Sequence, residues 1–294
     1  MTMALAVNIV CRNWRDDRVL PRFARHLSDR LGWVLTAGPN LKAPVIYLMG
    51  YFEAQLFGRW PQGIPVAAYF THREEEPPGN DKGKFFDTVA RQCQLRVAMS
   101  RMYADQLSKH GTTMQPPLPL ERDRFVIADA PKGRRPVVGF SGYTYKNHRK
   151  GEDLVNGVIK SKSGGRCEWM ASGRGWPVPT RRYTWKDMPK FFQGLNVLVC
   201  PSRVEGGPMP ALEALACGVR VVIPTHVGIL DEIPNAPGIH RYKRGNLESL
   251  VQALERALDE PFDREALRAA TVSFSVEAFC ECHQISFDHF FEGL

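Results

Sequence analysis

Residues 200–232, CPSRVEGGPMPALEALACGVRVVIPTHVGILDE, decide how the rest of the chain is read. The segment opens as the end of a buried strand, turns through Gly206 and Gly207, and enters a helix expected over 209–216. It then returns as a second apolar strand over 220–223. Glu205 and Glu213 bracket the glycine turn with seven residues between them. One acid lies in the turn and the other inside the helix, so both are expected to face one crevice at the carboxyl ends of the strands.

Moving outward, strands and helices alternate through most of the chain. Upstream of the turn the pattern predicts strands at 137–140, 167–171 and 196–200, with helices at 152–161 and 185–193. Downstream, Asn246 introduces an amphipathic helix over 247–258, and a Phe-rich helix is expected over 276–291. The first part shows the same rhythm. Strands are expected at 5–10, 33–36, 45–48, 64–70 and 95–99, and helices at 16–31 and 84–93. A further helix, capped by Ser100, is expected to run to residue 110. Five prolines between 115 and 136 interrupt the pattern and mark a linker. The expectation is an α/β protein of two Rossmann-like, doubly wound domains facing across a cleft. Their bounds are an acceptor-side domain over 1–130, a donor-binding domain over 131–275, and a C-terminal helix over 276–294 packing back on the first.

Composition narrows the class. The apolar fraction of 44% and the charged fraction of 24% belong to a globular chain, and no run approaches the roughly 20 apolar residues of a membrane span. The short apolar run near the N-terminus reads as a core strand and not as a signal peptide. Seven scattered cysteines fit a reducing cytoplasm. Cys280, Cys282 and His283 lack a zinc-site spacing and read as core residues. Charge is uneven. Residues 1–135 hold 20 Lys and Arg against 13 Asp and Glu, residues 136–192 hold 11 against 4, and residues 193–294 hold 8 against 14. Two basic segments favour an anionic ligand or partner.

The run from 200 to 228 resembles the donor-site signature of retaining glycosyltransferases of the GT-B fold, family 4, the glycogen-synthase-like group. Glu205 and Glu213 match that family's E-x7-E element, and VVGFSGYTYKNHRKGEDL (137–154) resembles its strand, glycine and KG segment. Weaker likenesses extend the match over roughly 94–258. The resemblance implies a nucleoside-diphosphate sugar as substrate, with Glu205 on hydroxyls of the donor sugar, Glu213 on the ribose, and Lys150 on the diphosphate. Gly142, Gly206, Gly207, Pro208 and Met209 would shape the turn that receives the phosphates, where helix N-terminal amides and close backbone approach stabilise the leaving charge. The family's arginine after that first glycine is Tyr143 here, so Arg149, Lys146 or His148 is left to supply a second cation. Arg174, in the next turn, is a candidate for the nucleotide pocket. By the same resemblance His72, after the strand ending at Phe70, would lie near the reacting sugar. No D-x-D is present, so neither a metal nor a cofactor is implied.

The first domain departs from the family. Its first loop, CRNWRDDR (11–18), has no glycine and offers Arg12, Trp14, Arg15 and Arg18 instead, while Glu74 sits beside His72 in a run of acids that includes Glu75 and Glu76. A short, basic first domain suits a large anionic acceptor: a glycan or lipid-linked glycan reached by peripheral membrane contact, or hydroxymethylated DNA, as in phage-type DNA-modifying members. A GT-B-fold sugar-nucleotide epimerase and a non-catalytic nucleic-acid-binding protein on the same scaffold are the alternatives from other classes.

Overall fold

Runs such as Val45–Leu48 and Val66–Phe70 are apolar at every position and fully buried, as strands covered on both faces must be. A computed structural model describes residues 5–13, 18–74, 81–129, 131 and 133–292, and places these runs in two parallel sheets. The chain divides into two compact units, 1–119 with 274–294, and 120–273.

The first unit contains β1 (Val7–Val10), α1 (Val19–Leu31), β2 (Val34–Thr36), β3 (Val45–Leu48), β4 (Val66–Phe70), α2 (Lys82–Gln92), β5 (Leu95–Ala98), α3 (Arg101–Leu107) and β6 (Thr113–Met114). All its strand pairs are parallel, in the order β2-β1-β3-β4-β5-β6. Helix α1 buries Phe23, Ala24 and Leu27, and ends at Gly32, whose left-handed φ of 70° lets its N–H donate to the Ser28 carbonyl. The Ser100 side chain makes no cap bond. Its backbone carbonyl accepts from Tyr103 and Ala104 instead, and the helix gives way at Ser108–His110 to a tighter turn.

The second unit contains β7 (Val137–Tyr143), α4 (Glu152–Lys160), β8 (Glu168–Arg174), β9 (Thr180–Arg181), α5 (Met188–Gln193), β10 (Val197–Val199), α6 (Met209–Ala216), β11 (Arg220–Pro224), β12 (Ile239–Tyr242), α7 (Leu247–Asp259) and α8 (Arg264–Ala269). Its strands are again all parallel, in the order β12-β11-β10-β7-β8-β9. Phe140 stacks on Trp169 and on Trp176 at 5.4 and 5.2 Å, and α7 presents Leu250, Ala253, Leu254 and Ala257 to the same core. Residues 120–129, expected in the first domain, make their contacts here. Phe125 is buried against Trp185 and Phe192, and Arg268 donates to the Phe125 and Arg122 carbonyls.

The last helix, α9 (Val276–Phe291), belongs to the first unit and packs on α1, with Phe279 5.4 Å from Phe23 and Phe287 4.7 Å from Trp33. The Ser275 hydroxyl caps it by accepting from Ala278 N–H. His283 is fully buried there. Its Nδ1 donates to the Phe279 carbonyl, so Nε2 accepts from the Tyr47 hydroxyl at 3.0 Å. Burial holds its pKa down to about 4. Among the described residues no helix is long and apolar enough to cross a membrane.

Candidate active site

In a doubly wound sheet the loops leaving two adjacent strands diverge where the strand order reverses, and that divergence opens a crevice at the carboxyl ends. In the second unit the reversal lies between β7 and β10. The loop after β7 carries Lys150 and the loop after β10 carries Glu205. The two meet: the Lys150 ammonium is ion-paired with Glu205 Oε1, and the Ser202 hydroxyl donates to the same oxygen at 3.1 Å. The pair is largely withdrawn from water, with side-chain exposures of 16% and 11%. Ser141, Lys150, Cys200, Ser202, Pro208 and Pro210 line a small pocket.

Backbone contacts join the same two loops. Arg203 and Val204 N–H donate to the Arg149 carbonyl at 2.8 and 3.3 Å, and Arg203 Nη1 donates to the His148 carbonyl at 3.0 Å. The Arg203 guanidinium also pairs with Asp153, holding that carboxyl below the usual range. Gly151, at φ 69°, passes directly over the Pro201 carbonyl, where a Cβ would collide. Gly142, at φ 113°, leaves a Cβ position 3.5 Å from the Lys150 ammonium. That is ordinary van der Waals contact, so the positive φ, and not the cation, is what favours glycine here.

The turn into α6 differs from the expectation. The Met209 amide donates to the Gly207 carbonyl at 2.8 Å and the Ala211 amide to that of Pro208 at 3.0 Å, while Pro208 and Pro210 have no N–H to offer. Among the described residues the amides of Gly206 and Gly207 donate to no protein acceptor. The glycines, and not Met209, therefore present N–H groups at this turn. The Gly206 carbonyl accepts from Ile229 N–H at 3.0 Å, which ties the turn to the loop after β11. Glu213 lies on α6 and is buried, with 3% of its surface exposed. Burial pushes the Cys200 thiol pKa up, and the Glu205 carboxylate adds to the shift.

Two expected cations are engaged elsewhere. The Arg149 guanidinium stacks on Tyr145, 4.0 Å from the ring centre. Arg174 is exposed and lies over Tyr143 at 5.0 Å. Lys150 reaches both Glu205 and the pocket.

In the first unit the strand order reverses between β1 and β3. Arg12, in the loop after β1, donates through its backbone N–H to Glu53 Oε1 at 3.2 Å and through Nε to Glu53 Oε2 at 2.6 Å. Glu53 is 3% exposed and sits in the turn Tyr51–Leu56 that follows β3. Arg12, an acceptor-side candidate from the sequence, is paired with this carboxylate and keeps 43% of its side chain exposed. His72 follows β4 and pairs with Glu74 at 3.2 Å, and Lys82 pairs with the other oxygen of Glu74 at 2.6 Å. Trp14, Arg15, Glu75 and Glu76 lie outside the described residues.

Ser202 and Glu53 were not singled out from sequence. Ser202 lies three residues before Glu205, close enough to serve it. Glu53 is one acid in the apolar run YFEAQLF, a pattern that marks a carboxylate with a buried partner.

Comparison with known proteins bears on this geometry. Residues 180–273 match the family Glycosyl transferases group 1. A 107-residue segment is 29% identical to N,N'-diacetylbacillosaminyl-diphospho-undecaprenol alpha-1,3-N-acetylgalactosaminyltransferase of Campylobacter jejuni. That match covers 36% of this chain and 27% of the enzyme's length. Among solved structures, a glycosyltransferase from Rickettsia africae aligns at TM-score 0.72 with 11% identity over the whole of both chains. Sucrose-phosphate synthase from Thermosynechococcus elongatus aligns at 0.69 with 16% identity, covering 94% of this chain and 79% of its own. The Anabaena protein HepE, solved in complex with UDP, aligns at 0.70 with 11% identity over 98% and 100%. The fold is the GT-B architecture of two Rossmann-like domains.

Proposed function

We propose that this chain, whose residues 180–273 are a glycosyl transferases group 1 domain, moves a sugar from a nucleoside-diphosphate donor to an acceptor hydroxyl with retention of configuration. The observation that carries the reading is the Lys150–Glu205–Ser202 cluster at the β7/β10 reversal, beside the open amides of Gly206 and Gly207. As the glycosidic bond breaks, negative charge grows on the departing diphosphate. An ammonium and two backbone N–H groups in a partly dry pocket are suited to receive it without a metal. Glu205 accepts hydrogen bonds from hydroxyls of the donor sugar and Glu213 from those of the ribose. The acceptor hydroxyl then attacks from the face the diphosphate leaves, and its proton passes to the departing phosphate oxygen.

The acceptor in this reading is a lipid-linked glycan. The Campylobacter relative is named for a diphospho-undecaprenol-linked acceptor, and the net charge of +8 suits an anionic lipid diphosphate. All seven cysteines are free, which fits the reducing cytoplasm where such donors are made.

The test is a mass-spectrometric screen of uridine, guanosine and adenosine diphosphate sugars against undecaprenyl-diphosphate-linked sugars, with hydroxymethylated DNA as a second arm. The expected result is one added hexose unit on the lipid-linked acceptor, with release of nucleoside diphosphate, unchanged by EDTA, and with the donor's anomeric configuration kept in the product's NMR spectrum. Product on the DNA arm alone would reverse the acceptor assignment, and an inverted product would reject retention.

A further inference from the structure

Lys150 and Glu205 are each other's partner, yet the reading above gives them different ligands: a diphosphate for the ammonium and sugar hydroxyls for the carboxylate. Both cannot hold fully at once. An ammonium has three donors, but a diphosphate in contact with it competes electrostatically with the carboxylate already there. We propose that Glu205 is an internal competitor for the diphosphate site, displaced when the donor binds and returning to Lys150 after transfer to expel the nucleoside diphosphate. This inference rests on the proposed function.

Three features make the exchange physically workable. First, the contact is purely side chain to side chain, so it can part without moving the backbone, which Gly151 and the Arg203 contacts hold in place. Second, Ser202, itself 3% exposed, donates to the oxygen that Lys150 occupies, so the carboxylate keeps a protein donor when the ammonium turns away. A buried carboxylate stripped of all donors would resist release. Third, the nearby cations are engaged: Arg149 lies on Tyr145, Arg174 on Tyr143, and Arg203 on Asp153.

The exchange distinguishes donor from product. A nucleotide sugar breaks the pair but supplies hydroxyls that Glu205 then accepts, so both charges find new partners. A nucleoside diphosphate breaks the same pair and brings no sugar hydroxyl for Glu205 to accept in return. The product is therefore held more weakly than its diphosphate contacts would allow, and the carboxylate drives it out.

The experiment titrates UDP, GDP and ADP into wild type and Glu205→Gln by calorimetry, with Glu205→Ala as a second variant and thermal melts to show that each is folded. With the competitor neutralised, the bound diphosphate is expected to bind about tenfold tighter in both variants. Equal or weaker binding in folded variants, with the wild type still binding, overturns the competitor role and leaves the transferase reading standing. Failure of all three nucleotides to bind any of the proteins overturns both.

Discussion

The two units carry the same device at the same topological position and use it differently. Where the strand order reverses, each bridges its diverging loops with a cation and a glutamate: Arg12 with Glu53 between β1 and β3, and Lys150 with Glu205 between β7 and β10. In the first unit Glu53 grips a backbone N–H as well as the guanidinium. Parting that pair would orphan a main-chain donor, so the contact anchors a loop. In the second unit the Lys150–Glu205 contact joins side chain to side chain, a serine stands by as a second donor, and glycine amides open beside them. The difference shows that an ion pair in a crevice is not in itself a site. What separates an anchor from a binding group is whether its partners can be exchanged at low cost.

Removing each carboxylate should separate these roles. Glu205→Gln is expected to lower the transfer rate by about 10²- to 10³-fold, since it removes a charged acceptor at the reacting sugar. Glu53→Ala is expected to leave nucleotide affinity unchanged but to lower folding stability by about 1–3 kcal/mol in urea titration, discounted for the half-exposed Arg12. If Glu53→Ala weakened nucleotide binding as much as Glu205→Gln slows transfer, the contrast would collapse.

A smaller effect sharpens the picture from outside both pairs. His283 is buried neutral in the first unit, with its pKa held below the ordinary value to about 4. An unfolded chain then binds more protons than the folded one between roughly pH 6.5 and 4, so stability present above that window is lost as pH falls through it. His283→Gln, which keeps a side-chain acceptor in reach of Tyr47, is expected to flatten the fall measured by denaturant midpoints across this range. The smallest effect belongs to Arg174. Exposed and stacked on Tyr143, it should change donor KM by less than about threefold when replaced by Ala.

Much of the fold was legible because buried parallel strands are continuous apolar runs. The segments 45–48, 209–216 and 276–291 fall on β3, α6 and α9 with the same bounds. What escaped was short or mixed. β9 is two exposed residues, Thr180 and Arg181. β12, IHRY, buries His240 and Tyr242 and so hides a polar residue on its covered side, and α8 is six residues long. At the site, Glu205 and Glu213 were legible as a spaced pair because both lie in one continuous segment. The Lys150–Glu205 contact was not, since its partners are 55 residues apart and meet only through the strand order. The Arg12–Glu53 contact was hidden for the same reason: the charge of Arg12 is visible in the sequence, but Glu53, 41 residues on, is brought to it by β3 pairing with β1.

The central claim is that the β7/β10 crossing binds a nucleotide diphosphate through Lys150. The direct measurement is calorimetric titration of wild type and Lys150→Ala with a panel of uridine, guanosine and adenosine diphosphate sugars. At least one donor should bind the wild type and lose about ten- to a hundredfold in affinity with Lys150→Ala. Equal affinity for every donor that binds, or no binding by the wild type, would contradict it.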